Sequence, residues 1–193
     1  MTDQQDRPSQ QDRQDRQDRP SQQSQQQRQQ DIVIARPPGA SDAFRAAMAR
    51  FPSGVVVVTT RCPDGSPRGF TASSFCSVSL TPPMILVCLA NSADSAASFA
   101  SCDHFAVSVL SPVHRGLAVR FATKGADKFE GGGLRLSPRG LPTVERALSE
   151  LDCVLHARHP AGDHMVLIGR VTEVRLGEGS PMVYYDRSFR TLA

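Results

Sequence analysis

The chain has 193 residues, a formal net charge of +3, 39% hydrophobic and 6% aromatic residues, the length of one ordinary domain. Residues 1–31 hold five Arg against six Asp, and the remainder holds 17 Lys and Arg against 13 Asp and Glu; so mild a balance suits a phosphate-bearing small molecule and argues against nucleic acid. No apolar run approaches ~20 residues, which argues against a membrane-spanning helix.

Residues 1–31 are dominated by Gln, repeat QDR at 11–13, 14–16 and 17–19, and contain no apolar residue after Met1. Such a stretch cannot offset its ordering entropy. The expectation is a disordered Gln/Asp/Arg-rich tail over residues 1–35 and one folded domain over residues 36–193.

Ser41 opens a short capped helix with Phe44, Ala47, Met48 and Phe51 on one face, stopped before Pro52 and expected to pack on a sheet. Val55 to Thr60 form a β-branched run, Asp64 and Gly65 signal a turn, and Arg68 to Ala72 return as the partner strand. Residues 84–90 and 104–110 are two further apolar strands, separated by a small-residue stretch, 92–101, that suits a short helix. Residues 113–122 also read as helical. Residues 151–159 and 165–176 alternate apolar and polar about a turn at 160–163, a late hairpin. Close-spaced hairpins with few, short helices favour a mainly β fold, an antiparallel barrel rather than a doubly wound parallel sheet.

The five cysteines, Cys62, Cys76, Cys88, Cys102 and Cys153, are odd in number and show no CxxC spacing. With no basic-then-apolar leader at residue 1, a reducing cytoplasm is the expected setting. His156 and His159 lie three apart on an expected strand and would point to opposite faces, so no metal site is expected there or elsewhere.

One segment concentrates polar chemistry. In GFTASSFCSVSL, residues 69–80, Thr71, Ser73, Ser74, Ser77 and Ser79 are interleaved with Phe70, Phe75, Cys76, Val78 and Leu80. A planar apolar ring with polar edges and a phosphate tail needs such a mixture. Composition alone favours a Ser-rich strand whose hydroxyls face solvent.

The string GFTASSFCSVSLTPPMILVCL (69–89), preceded by FPSGVVVVTT (51–60), resembles the flavin reductase family with the FMN-binding split-barrel fold. HFAVSVL (104–110), RFATKGADKF (120–129) and GDHMVLIGRV (162–171) are similar to it in the same order, so that the likeness covers residues 44–187. It implies an antiparallel split β-barrel that reduces FMN or FAD with NADH or NADPH and passes reduced flavin to a partner flavin-dependent monooxygenase. It further implies a homodimer.

The resemblance places Gly69, Phe70, Thr71, Ser73 and Ser74 along the flavin ring and ribityl chain. Cys88, Leu89 and Ala90 match a strand end beside the flavin, and Ser95 a turn near its phosphate. Relatives often carry a cation close to that turn, whereas this chain has Asp94, which would repel a phosphate. Neutralisation is then expected from Arg120, Lys124 or Lys128, the two lysines being the only ones in the chain. Arg120 and Phe121 match flavin-contacting positions, although Phe121 also reads as core. Asp163 and His164 match a hairpin tip that approaches the nicotinamide. They equally suit plain turn residues.

Hydride transfer between nicotinamide and flavin is chemistry of the two cofactors, and the protein's part is to orient the rings and exclude water. No paired carboxylates, Ser/His/Asp set or activated Cys is therefore required, and His164 is the single catalytic candidate. Two alternatives stand: a non-catalytic flavin-binding module or electron carrier on the same fold, and an oxidase of a phosphorylated amine, which would need a stronger Arg and Lys cluster.

Overall fold

The computed structural model describes residues 40–192; the expected tail over residues 1–35, and the first residues of the expected domain, lie outside them. The chain divides into two units, residues 1–44 and residues 45–193. Of the first, only the opening of helix α1 (Ala40–Ala49) is described. The second begins inside α1 and holds everything else.

Twelve strands and two further helices follow α1 in the described residues: β1 (Ser53–Gly54), β2 (Val56–Arg61), β3 (Pro67–Ala72), β4 (Phe75–Leu80), β5 (Pro83–Ala90), α2 (Ala96–Ser101), β6 (His104–Val109), a 3-10 turn (Pro112–His114), α3 (Arg115–Ala122), β7 (Leu134–Leu136), β8 (Pro142–Val144), β9 (Ser149–Ala161), β10 (His164–Leu176), β11 (Met182–Tyr185) and β12 (Ser188–Thr191). Seven strands form one antiparallel sheet in the order β3-β2-β6-β9-β10-β5-β4. β3 and β4 are adjacent in sequence, joined only by Ser73 and Ser74, yet stand at opposite edges of that sheet. The sheet must therefore curl until its edges meet without a hydrogen-bonded ladder between them, which is the split barrel the resemblance implied. The β9–β10 hairpin, 13 residues on each side, is its longest element.

Val55 to Val58 form a continuous apolar run because both faces of β2 are covered. Val56 and Val58 pack with Phe70, Phe99, Phe105 and Leu167 in one core. Val55 and Val57 pack with Leu110, Ala118, Phe121 and Val144 in the other. β10 passes over Phe105 at Gly169, where a Cβ would stand 2.4 Å from the ring's Cζ. A polar layer lies beneath the β7–β8 hairpin. Thr59 Oγ1 donates to Pro142 O, the Val144 N–H donates to Ser108 Oγ at 3.0 Å, and Glu150 receives Arg135 and Arg175. Burial alone would raise the Glu150 carboxyl, but the nearby Thr143 hydroxyl and its hydrogen-bonded ion pairs with Arg135 and Arg175 outweigh that and hold it below the usual range. Asp152, wholly buried with neither carboxylate oxygen hydrogen-bonded, is pushed up by desolvation.

The structure corrects two readings. The apolar stripe expected on α1 is not buried: Phe44 and Met48, and Phe51 beyond the end of the helix, are exposed. The 3.6-residue spacing of apolar side chains marks which face of a helix is apolar, not what covers it. The late turn is also tighter than residues 160–163, because β9 runs on to Ala161 and β10 starts at His164, leaving Gly162 (φ 61°) and Asp163 to turn. No described helix is long and apolar enough to cross a membrane.

Candidate functional site

Where β3 turns into β4, the end of β5, the loop after it, the end of α3 and the start of β10 converge on a cavity of about 430 Å³. That is within the ~300–1,000 Å³ of small-molecule sites. Phe70, Thr71, Ser73, Ser74, Cys88, Leu89, Ala90, Phe121, Lys128 and His164, all expected from the sequence, line it. So do Ala72, Ser92, Ala93, Asp94, Ala122 and Lys124. The additional residues are small or polar neighbours of the expected segments, and of these only Asp94 and Lys124 carried a sequence signal.

The hydroxyls divide by role. Thr71 Oγ1 donates to Ala118 O of α3 at 2.7 Å. Ser74 Oγ donates to Cys88 O at 3.1 Å and accepts the Cys88 N–H at 3.2 Å, bracing the β3–β4 corner against β5. Ser73, exposed at the same corner, lines the cavity. Phe70 is set edge-on to Phe99, ring centroids 5.1 Å apart, and Phe121 edge-on to Phe129 at 5.2 Å. Phe121 is wholly buried, so it supplies wall from the core side.

The cavity's charged rim comes from the segment after α3. Lys128 Nζ donates to Gly69 O at 3.3 Å. Burial lowers the Lys128 ammonium pKa and Asp94 nearby partly counters the shift. Gly69 and Ser95 lie in an adjoining cleft of about 270 Å³ that shares Asp94 and Lys128 with the main cavity. Ser95 is 1% exposed and its Oγ has no partner. Gly69 has a packing reason to be glycine: a Cβ there would stand 2.8 Å from both Phe121 Cε1 and Val58 O.

Arg120 is not brought to the cavity. Its guanidinium donates to Glu130 O and, at 2.9 Å, to Gly132 O, and so ties down the glycine-rich loop that follows. Asp163 lies beyond the lining residues; its Oδ1 is 2.7 Å from His164 Nδ1. The Asn91 N–H donates to Asp163 O at 2.9 Å and His164 pairs with Ala90, which sets the half-exposed imidazole at the cavity mouth. Among the described residues no group of three or more His, Cys, Asp or Glu side chains is placed to hold a metal ion.

The lining fits a flavin: apolar walls from Phe70, Leu89 and small alanines suit a planar ring, with a hydroxyl at one corner and two ammonium groups at the rim for a phosphate. Residues 48–193 match the flavin reductase like domain. The chain is 52% identical over 149 residues to the actinorhodin polyketide dimerase of Streptomyces coelicolor, covering 77% of this chain and 84% of that one. It is 39% identical over 150 residues to an NADH-dependent flavin reductase of a Rhodococcus species, with the same two coverages. The solved Streptomyces globisporus NADH:FAD oxidoreductase, in complex with NAD and FAD fragments, superposes with a TM-score of 0.75 at 33% identity, over 81% of this chain and 95% of that one.

Proposed function

The chain belongs to the flavin reductase family and is an NAD(P)H:flavin oxidoreductase, and from that premise we propose that the cavity at the β3–β4 corner holds the flavin and that reduced flavin is released to a partner monooxygenase. The observation that carries the reading is the convergence of Phe70, Ser73, Leu89, Ala90, Lys128 and His164 on one cavity. When bound, the flavin accepts a hydride from the nicotinamide, chemistry that belongs to the cofactors.

The chain's residues bind and orient. Phe70, Leu89 and Ala90 offer an apolar surface for the ring; Ser73 offers a hydroxyl to its polar edge. Lys124 and Lys128 neutralise the phosphate, and Ser95 stands beside it with a hydroxyl free to donate. His164 faces the nicotinamide side, its ring oriented by Asp163. Exclusion of water between the rings, rather than proton transfer, is the protein's contribution to rate.

The likeness to the reductase subunit HsaB of a flavin-dependent monooxygenase of Rhodococcus jostii, 36% identical over 143 residues, supports release of reduced flavin as product. A homodimer belongs to this reading by the family resemblance, and Met48, Phe51, Val78 and Leu80 are exposed apolar side chains that an interface could cover. The expected residue 1–35 tail takes no part in this reading, and cytoplasmic location follows from the reducing setting the cysteines suggest. NADH oxidation by purified protein with added FMN, followed by absorbance, tests the reading: multiple turnovers are expected, and a rate equal to buffer alone refutes it. A flavin carrier would give at most one turnover per bound flavin.

A further inference from the structure

The loops at the cavity rim are joined by a side-chain contact. The Gly125 N–H donates to Asp94 Oδ2 at 2.7 Å, linking the loop after β5 to the segment after α3. That segment, residues 123–128, carries both lysines of the chain and belongs to no helix or strand. It is anchored at its start by the Thr123 N–H on Val119 O and Arg120 O, and at its end by Lys128 on Gly69 O. The Asp94 bond is the tie between those anchors. Gly125 adopts φ +71°, a left-handed turn that glycine makes without steric penalty.

Asp94 is otherwise an odd choice for this rim. An exposed carboxylate facing Lys128 opposes the anion that the two lysines attract. We propose that Asp94 is a positioning residue for phosphate recognition: it latches residues 123–128 across the rim and so presents Lys124 and Lys128 to the flavin phosphate. This rests on the reading that those lysines face that phosphate. Asp94 acts through the Gly125 amide and needs no contact with the ligand.

Initial rates of NADH oxidation with FMN, and with riboflavin, which has the same ring and no phosphate, test the latch in wild type, Asp94→Asn and Asp94→Ala. Asn keeps an oxygen to accept the Gly125 N–H but removes the charge; Ala removes both. For Asp94→Asn the KM for FMN is expected at or below that of wild type. For Asp94→Ala it is expected about 2- to 12-fold above Asp94→Asn, the range equivalent to the net worth of one hydrogen bond. The effect falls on KM rather than kcat, and the KM for riboflavin is the same in both variants. Trypsin should also cut after Lys124 faster in Asp94→Ala than in Asp94→Asn. Equal FMN KM values in the two variants, or an equal rise with riboflavin, overturn the latch while wild-type turnover leaves the functional reading standing. A wild type that does not oxidise NADH overturns that reading and the latch together.

Discussion

Gly69→Ala separates the packing role of this glycine from a ligand role. The new Cβ would stand 2.8 Å from Phe121 Cε1, 2.8 Å from Val58 O and 3.1 Å from Thr59 Cγ2. Val58 O belongs to β2, which is paired on both sides, and Phe121 is wholly buried against Phe129, so neither yields freely. Overpacking of this kind costs about 1–3 kcal/mol. For a folded unit near 150 residues this lowers Tm by about 2–12 °C. Thermal unfolding followed by circular dichroism measures it, and Gly69→Ala/Phe121→Leu should lose less than the sum of the two single losses, because the added methyl then no longer meets the ring. A Tm equal to wild type would refute the packing argument and return Gly69 to the ligand side.

Three further outcomes are expected. The KM for FMN should rise with pH starting below the range of an ordinary lysine, because burial lowers the Lys128 pKa and the charge is lost as pH passes it; Lys128→Arg should remove the rise, since guanidinium stays charged, and an unchanged pH profile in that variant would contradict it. Asp152 has a raised folded pKa, so its stability contribution is greatest below the unfolded carboxylate pKa and declines as pH rises through the folded one. Asp152→Asn should therefore melt higher than wild type at neutral pH, the gap closing on acidification; a pH-independent gap would contradict this. In native protein Cys76, exposed, should react with a thiol reagent well before Cys102 or Cys153, both buried, the Cys153 thiol being pushed up to about 12; equal rates for the three would contradict it.

The hairpins were legible where local chemistry marked them. β2–β3 follows from a β-branched run and an Asp-Gly turn, β9–β10 from alternation about Gly162. β11–β12 was not, because its two-residue turn is made by Asp186 and Arg187, both at positive φ, where the usual signal is Asn-Gly. β7 and β8, three residues each, form in a stretch rich in Gly and Pro and depend on the polar layer beneath them. In the candidate site, the hydroxyl segment and the end of β5 were legible because residues close in sequence face one cavity. Arg120 was not, since its partners are carbonyls of a loop ten residues on. Nor was the role of Asp94, whose partner Gly125 is 31 residues away; sequence reading sees the charge of such a residue, and only the fold shows what the charge holds.

Ala90→Phe tests the location of flavin reduction most directly. Ala90 lines the cavity at the end of β5 opposite His164, and a ring there fills the space assigned to the flavin. FMN-dependent NADH oxidation should fall to the buffer rate while the circular dichroism spectrum and Tm stay near wild type. Wild-type turnover in Ala90→Phe would contradict the assignment of this cavity.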